Sequence, residues 1–156
     1  MPRASVATFS VLTVAMTFGA VHYSEAQEPR RYISPRTAAD TTQPPFSRAV
    51  MVGNTLYLSG DIGLDQNMRV PDTADAEARK VLDNVQATLK EAGLTMDDLV
   101  SVQVFCSDVK HYDAFNTVYR KYFKREFPAR AFIGVGTLLF NARFEVQGIA
   151  VRRPPQ

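Results

Sequence analysis

The stretches Thr73–Gly93, TADAEARKVLDNVQATLKEAG, and Leu99–Cys106, LVSVQVFC, decide the fold class between them. In the first, Ala78, Val81, Leu82, Val85, Leu89 and Ala92 recur at spacings of three and four, one stripe on a helical wheel. Asp72 or Thr73 caps this helix, which is expected to run to Ala92. Gly93 then offers the left-handed residue that closes a helix. In the second stretch, Val100, Val102, Val104 and Cys106 alternate with Ser101, Gln103 and Phe105, which is the period of a strand.

Toward the N-terminus, Phe46–Val52 and Thr55–Ser59 read as the two arms of a β-hairpin around the turn Gly53-Asn54. Residues 35–45, rich in Thr, Pro and Asp, form a loop, and Tyr32–Ser34 can add a short strand before it. Toward the C-terminus, a second helix is expected over Tyr112–Lys124. Its aromatic stripe (Tyr112, Phe115, Tyr119, Tyr122, Phe123) reads as core. Ala131–Val135 and Phe144–Val151 are two further strands. The order β-β-α-β-α-β-β implies an α+β protein with both helices on one face of the sheet. Nothing in the chain is left to cover the other face, so identical chains are expected to supply that cover.

At 156 residues, 46% hydrophobic and 22% charged, the chain has material for one globular domain. Lys plus Arg is 18 against 16 for Asp plus Glu, and a net charge of +2 gives no reason to expect nucleic acid or an anionic membrane as the main partner. One cysteine excludes an intramolecular disulfide and a multi-cysteine zinc site. Residues 1–26 read as a secretory signal: Arg3, the uncharged run Val6–Val21, and a small-x-small end at Ser24-Glu25-Ala26. The organisation expected is a signal peptide over 1–26, a linker over 27–32 and one domain over 33–153. The mature protein is then expected to be exported, periplasmic or secreted, with no stable membrane association once the signal is cleaved.

Several chemistries are missing from the sequence. There is no convincing Ser-His-Asp or Cys-His set, no HExxH and no phosphate-cradling GxxxxGK[ST]. Cys106 ends a strand on its apolar side and reads as a small buried hydrophobe. His111, at the start of the second helix, reads as a surface or capping side chain. Arg120, Lys121, Lys124 and Arg125 cluster where a helix C-terminus favours positive charge. What remains is Pro128-Ala129-Arg130 leading into a strand. Counting by twos, Arg130, Phe132, Gly134 and Gly136 share one face. An arginine at the head of such a strand is either a two-pronged carboxylate grip or an ordinary surface residue. Glu145, in mid-strand with Arg143 and Gln147 on its face, is either solvated on an open face or held in a pocket.

At these residues the chain resembles the RidA/YjgF family of reactive-intermediate (imine/enamine) deaminases, also described as L-PSP endoribonuclease-like. The matching pieces are Leu58-Ser59-Gly60-Asp61-Ile62, Asp83-Asn84-Val85, Phe115-Asn116-Thr117-Val118-Tyr119, Phe127-Pro128-Ala129-Arg130 and Glu145-Val146-Gln147-Gly148-Ile149-Ala150-Val151. They run in order over about residues 33–153. The resemblance implies a chorismate-mutase-like α+β fold: a single domain with a mixed sheet of five to six strands and two helices on one face. It also implies a homotrimer with three clefts between subunits. The implied reaction is hydrolysis of small 2-imino acids, or enamine tautomers such as 2-aminoacrylate, to 2-keto acids and ammonia, with no metal and no organic cofactor. The partner is then a small imino or keto acid, and no nucleic acid is expected.

Carried over by position, Arg130 would bind the substrate carboxylate, and Glu145 would sit by the attacking water and manage its proton. Backbone groups near Gly60, Asp61 and Phe132 would hold ligand and water, and Asn116 would line the cleft. The family usually has tyrosine where Phe46 stands in the cleft, glutamine at Asp61, and Ser or Cys at Ala131. If the last two strands pair as a hairpin, Glu145 lies about four positions from Arg130, ~13 Å at ~3.3 Å per residue. A small substrate cannot bridge that gap. Either the two strands are not partners, or Arg130 and Glu145 meet across a subunit boundary, which is the favoured expectation. Two other readings stand beside this one. The first is a non-catalytic binder of small carboxylates or keto acids, motivated by Phe46 and Asp61. The second is an endoribonuclease, motivated only by the Arg120–Arg125 cluster.

Overall fold

A computed structural model describes residues 28–34, 37, 39 and 41–153; the expected signal segment lies outside the described residues. The strands are β1 (Arg30–Ile33), β2 (Ala49–Val52), β3 (Thr55–Ile62), β4 (Leu99–Cys106), β5 (Ala129–Gly134) and β6 (Phe144–Val151). The helices are α1 (Ala74–Glu91) and α2 (Tyr112–Tyr119). The strands form one mixed sheet in the order β1-β2-β3-β6-β4-β5. Only β4 and β5 run parallel, and α2 with its flanking turns supplies the crossover that such a pair needs. The α+β order read from the sequence is the order found.

Local chemistry accounts for the boundaries. Thr73 Oγ1 accepts the Ala76 N–H (3.2 Å) and caps α1, and Gly93 beyond its end takes φ +77°. Gly53 turns the β2–β3 hairpin at φ +55°. Arg31 and Arg152 both donate to the Ala92 carbonyl at the end of α1, at 2.7 and 3.1 Å. α1 buries Ala78, Val81, Leu82, Val85 and Leu89, and α2 adds Phe115, Val118 and Tyr119. They pack on Leu56, Leu58, Val102, Val104 and Val146 from one face of the sheet. Each fully buried Leu or Phe adds ~1.5–3 kcal/mol, so this single layer supplies most of the stabilisation. The opposite face carries Tyr57, which is half exposed, and a cross-strand amide pair in which Gln147 Nε2 donates to Gln103 Oε1 at 2.7 Å.

Three departures have physical causes. The second helix stops at Tyr119 and tightens into a 3-10 turn over Arg120–Tyr122, short of the expected Lys124. The tightening lets the Tyr122 hydroxyl reach Asp83 (2.6 Å) and the Arg79 carbonyl (3.1 Å) on α1. Val100 is exposed rather than sharing the buried face of β4, because the ladder slips between Leu99 and Ser101 and Leu99 takes the buried place. Finally, β5 and β6 are not a hairpin. β6 inserts between β3 and β4, and β5 becomes the edge strand.

Candidate active site

In β6, Phe144 and Val146 point into the core, so Glu145 and Gln147 point to the open face. Glu145 pairs with Phe105 on one side and Ile62 on the other. Opposite it, β3 slips register between Leu58 and Asp61, the signature of a bulge. The slip sets the Gly60 Cα against the Glu145 side chain. A methyl group at Gly60 would lie 2.9 Å from Glu145 Cδ and overlap Oε1, so only glycine leaves the carboxylate where it is. Ser59 ties this end of β3 to the preceding loop through Ser59 Oγ to the Ser47 carbonyl (2.7 Å) and Ser59 N–H to the Arg48 carbonyl (3.0 Å). Phe46, half exposed, precedes Ser47 and stands at the same end.

Asp61 turns the other way. It pairs with Val146, on the helix side, and its carboxylate accepts from Asn84 Nδ2 at 2.9 Å. Arg48 lies 3.8 Å away. Burial pushes the Asp61 carboxyl up from its ordinary value, against the opposing pull of Asn84, Arg48 and Lys80.

Arg130 and Phe132 in β5 are in register with Val102 and Val104, both buried under the helices. They therefore lie on the helix side of the sheet, at its edge. Arg130 Nη2 donates to Asn116 Oδ1 at 2.7 Å. Its guanidinium carbon sits 4.6 Å from the Tyr119 ring centroid, 5.8 Å from Phe132 and 6.0 Å from Tyr112. Phe132 is itself wedged edge-on between Tyr112 (5.0 Å) and Phe115 (5.7 Å). Aromatic faces attract a guanidinium without consuming its N–H groups. Among the described residues no carboxylate forms an ion pair with Arg130. The cradle thus holds a planar cation with donors to spare, the arrangement that grips a carboxylate. Burial drives the Tyr119 hydroxyl up to about 12, with Arg130 opposing, so that ring stays neutral under the cation. An open depression along α2, lined by Tyr112, Asn116, Thr117 and Arg120, adjoins the cradle.

Within one chain, Arg130 and Glu145 do not meet. Their partners on β4, Val102 and Phe105, are three residues apart, ~10 Å along the strand, and two strand spacings add a similar distance across it. The two side chains also leave opposite faces of the sheet. The remaining sequence candidates fall outside both groups. Cys106 is buried, and burial pushes its thiol up. His111 makes no side-chain cap and instead meets the Phe144 ring edge-on at 6.1 Å. A methyl group at Gly134 would lie 2.9 Å from Val109, whereas one at Gly136 would meet nothing. Among the described residues no group of three or more His, Cys, Asp or Glu side chains could hold a metal ion.

Three residues escaped the sequence reading. Tyr119 is core and arginine cradle at once, whereas Tyr112, expected in the core stripe, is 45% exposed and serves the cradle alone. Glu77 is wholly buried; the signal was a carboxylate one helical turn before Val81 on the apolar stripe of α1.

The family model for Endoribonuclease L-PSP matches residues 37–152. A 2-iminobutanoate/2-iminopropanoate deaminase of Dermatophagoides farinae is 39% identical over 125 residues, 79% of this chain and 97% of that protein. The Homo sapiens protein of the same description is 35% identical over 127 residues, 80% of this chain and 92% of its own length. Among solved structures, the YjgF gene product of E. coli superposes with a TM-score of 0.67 at 35% identity, over 71% of this chain and 89% of that one. RidA from the Antarctic bacterium Psychrobacter sp. PAMC 21119 gives 0.67 at 29% identity, over 77% and 94%. One layer of two helices on a six-stranded mixed sheet defines a small α+β protein of the kind these structures share. The chain belongs to the Endoribonuclease L-PSP family, that of the RidA/YjgF proteins.

The expected export is corrected by the same comparisons. The two relatives above are described as 2-iminobutanoate/2-iminopropanoate deaminases, neither as an exported protein, and the periplasmic or secreted placement is withdrawn. Among the described residues no helix is long and apolar enough to cross a membrane. The expectation rested on the composition of that segment alone.

Proposed function

We propose that this protein hydrolyses small 2-imino acids and their enamine tautomers to 2-keto acids and ammonia. The reaction takes place in a cleft between neighbouring subunits of a homotrimer built from the domain over residues 33–153. The observation that carries the proposal is the cradled Arg130, with guanidinium donors to spare, on the face opposite Glu145. Each chain then offers two half-sites: the neighbour packed on the open face completes the Glu145 half, and the other neighbour around the trimer completes the Arg130 half. The relatives described as 2-iminobutanoate/2-iminopropanoate deaminases support the reaction class.

Arg130 fixes the substrate carboxylate, with Asn116 holding the guanidinium plane. With the imine in its protonated iminium form, Glu145 takes a proton from water as the water oxygen bonds to the C=N carbon, forming a carbinolamine. Glu145 returns that proton to nitrogen, the C–N bond breaks as the hydroxyl proton passes back to Glu145 and the hydroxyl oxygen becomes the keto carbonyl, and ammonia, which carries the proton away, and the keto acid leave. Main-chain groups near Gly60, Asp61 and Phe132 orient water and ligand, and Phe46 walls the cleft. The C=N carbon is already electrophilic, so positioning supplies most of the acceleration. No metal or organic cofactor enters these steps.

The test is competition with semicarbazide. An amino-acid oxidase generates the imine, and the protein should lower the yield of semicarbazone. An Arg130→Ala variant as effective as the parent would remove the mechanism. Ligand protection against unfolding with no turnover would point instead to a carboxylate binder.

A further inference from the structure

The slip in β3 has two products, and only one of them touches Glu145. Up to Leu58, β3 is in register with β6, with Leu58 opposite Gly148. Carried on unbroken, that register would set Asp61 directly across from Glu145 on the open face. Two carboxylates in that cross-strand position repel each other. The slip removes the conflict. Asp61 moves opposite Val146 and faces α1, Ile62 takes the place across from Glu145, and Gly60 is left against the Glu145 side chain.

Something must hold the slipped register, because a bulge gives up ladder hydrogen bonds. A single amide does so from α1. Asn84 Nδ2 donates to the Asp61 carboxylate at 2.9 Å and to the Ile62 carbonyl at 3.3 Å. Arg48 on β2's approach and Lys80 on α1 add positive charge around the same carboxylate.

We infer that Asp61 and Asn84 form a lock that keeps the bulge in place and so aims the Glu145 carboxylate, which makes Asp61 a positioning residue acting through the main chain of Gly60. The inference deepens the deaminase reading and rests on it for its kinetic arm. The Asp61 side chain touches no reacting atom, and its charge is turned away from the open face that carries Glu145.

The experiment uses the full chain with Asp61→Ala, Asp61→Asn, Asn84→Ala and the double alanine variant. Displacing a catalytic group by a fraction of its working geometry costs rate by an order of magnitude or more. Asp61→Ala should therefore lower kcat for imine hydrolysis roughly tenfold with KM within about twofold, since the carboxylate grip at Arg130 lies on β5, three strands away from β3 across the sheet. Asp61→Asn keeps an oxygen for the Asn84 amide and should restore most of the rate. Asn84→Ala should match Asp61→Ala, and the double variant should be no worse than either. Side-chain NMR resonances of Glu145 should move in the alanine variants, while the Arg130 Nε–H resonance stays.

If Asp61→Ala does not fold, Asn84→Asp, which sets a second carboxylate against Asp61, should displace Glu145 where Asp61→Asn does not. Unchanged kcat and unmoved Glu145 resonances in Asp61→Ala overturn the inference, as does an asparagine that fails to restore the rate. A parent protein without turnover defeats the deaminase reading, and the Glu145 resonances still decide the lock.

Discussion

Glu77 and Arg143 form a buried ion pair that clasps the start of β6 to α1. Arg143 Nη1 lies 2.7 Å from Glu77 Oε2, and the backbone N–H groups of Arg143 and Phe144 donate to Oε1 at 2.6 and 3.1 Å. The same guanidinium also binds the Pro71 and Asp72 carbonyls at 3.0 and 2.9 Å. Four donors and four acceptors from three segments thus converge at the residues just before Glu145.

Glu77→Ala should destabilise the fold by about 3–5 kcal/mol, because it leaves a cation and two N–H groups without their buried acceptor. Urea unfolding measures this directly. Arg143→Ala should also be costly, because it leaves the wholly buried Glu77 carboxylate without its counter-charge, held only by the two backbone N–H groups. A Glu77→Ala loss below about 1 kcal/mol would mean that the clasp contributes nothing net.

Arg130→Ala and Glu145→Ala should each be inactive alone. Mixed and reassembled, they should regain activity, because some clefts take the intact arginine from one chain and the intact glutamate from its neighbour. Random assortment sets the ceiling near about a quarter of the parent rate. Mixtures as inactive as the separate variants would place the whole reaction within one chain. Light scattering of the parent should give three times the 17.4 kDa of the chain.

Gly60→Ala should lower kcat with little change in stability, since the added methyl displaces the Glu145 carboxylate rather than a core side chain. The paired measurement is a thermal melt beside steady-state kinetics. A melt that falls by many degrees with kcat retained would show that the bulge, not the carboxylate, yields to the methyl.

Burial raises the Asp61 carboxyl in the folded state, so its ionisation opposes folding. The stability it contributes is fully present below its unfolded pKa and is lost as pH rises through the raised folded value. Asp61→Asn should therefore melt higher than the parent at pH 7, and the gap should close as pH falls below that value. Melting curves across pH 3 to 7 check the sign, and a gap that widens on acidification would reverse it.

The helix over Ala74–Glu91 and the strand over Leu99–Cys106 were legible because each repeats one period over many residues with a capping or turning residue at its end. Phe144–Val151 was legible for the same reason. The pairing of β5 with β4 was not, because a short apolar strand carries no mark of its neighbour, and only packing of α2 decides it. Arg130 and Glu145 could be singled out by chemistry and by resemblance. Their separation onto opposite faces could not, since it depends on the partner strand of each. The direction of Asp61 was hidden as well, because a one-residue slip reverses every side chain beyond it.

A sheet with the proposed acid-gripping cation on one surface and the proposed proton carrier on the other would leave a solitary chain without a reaction centre. Turnover in the proposed assembly then obeys a dilution law. Below the concentration at which chains associate, specific activity falls with protein concentration even when substrate is saturating. Abundance in the cell would act as a control on rate as direct as any inhibitor.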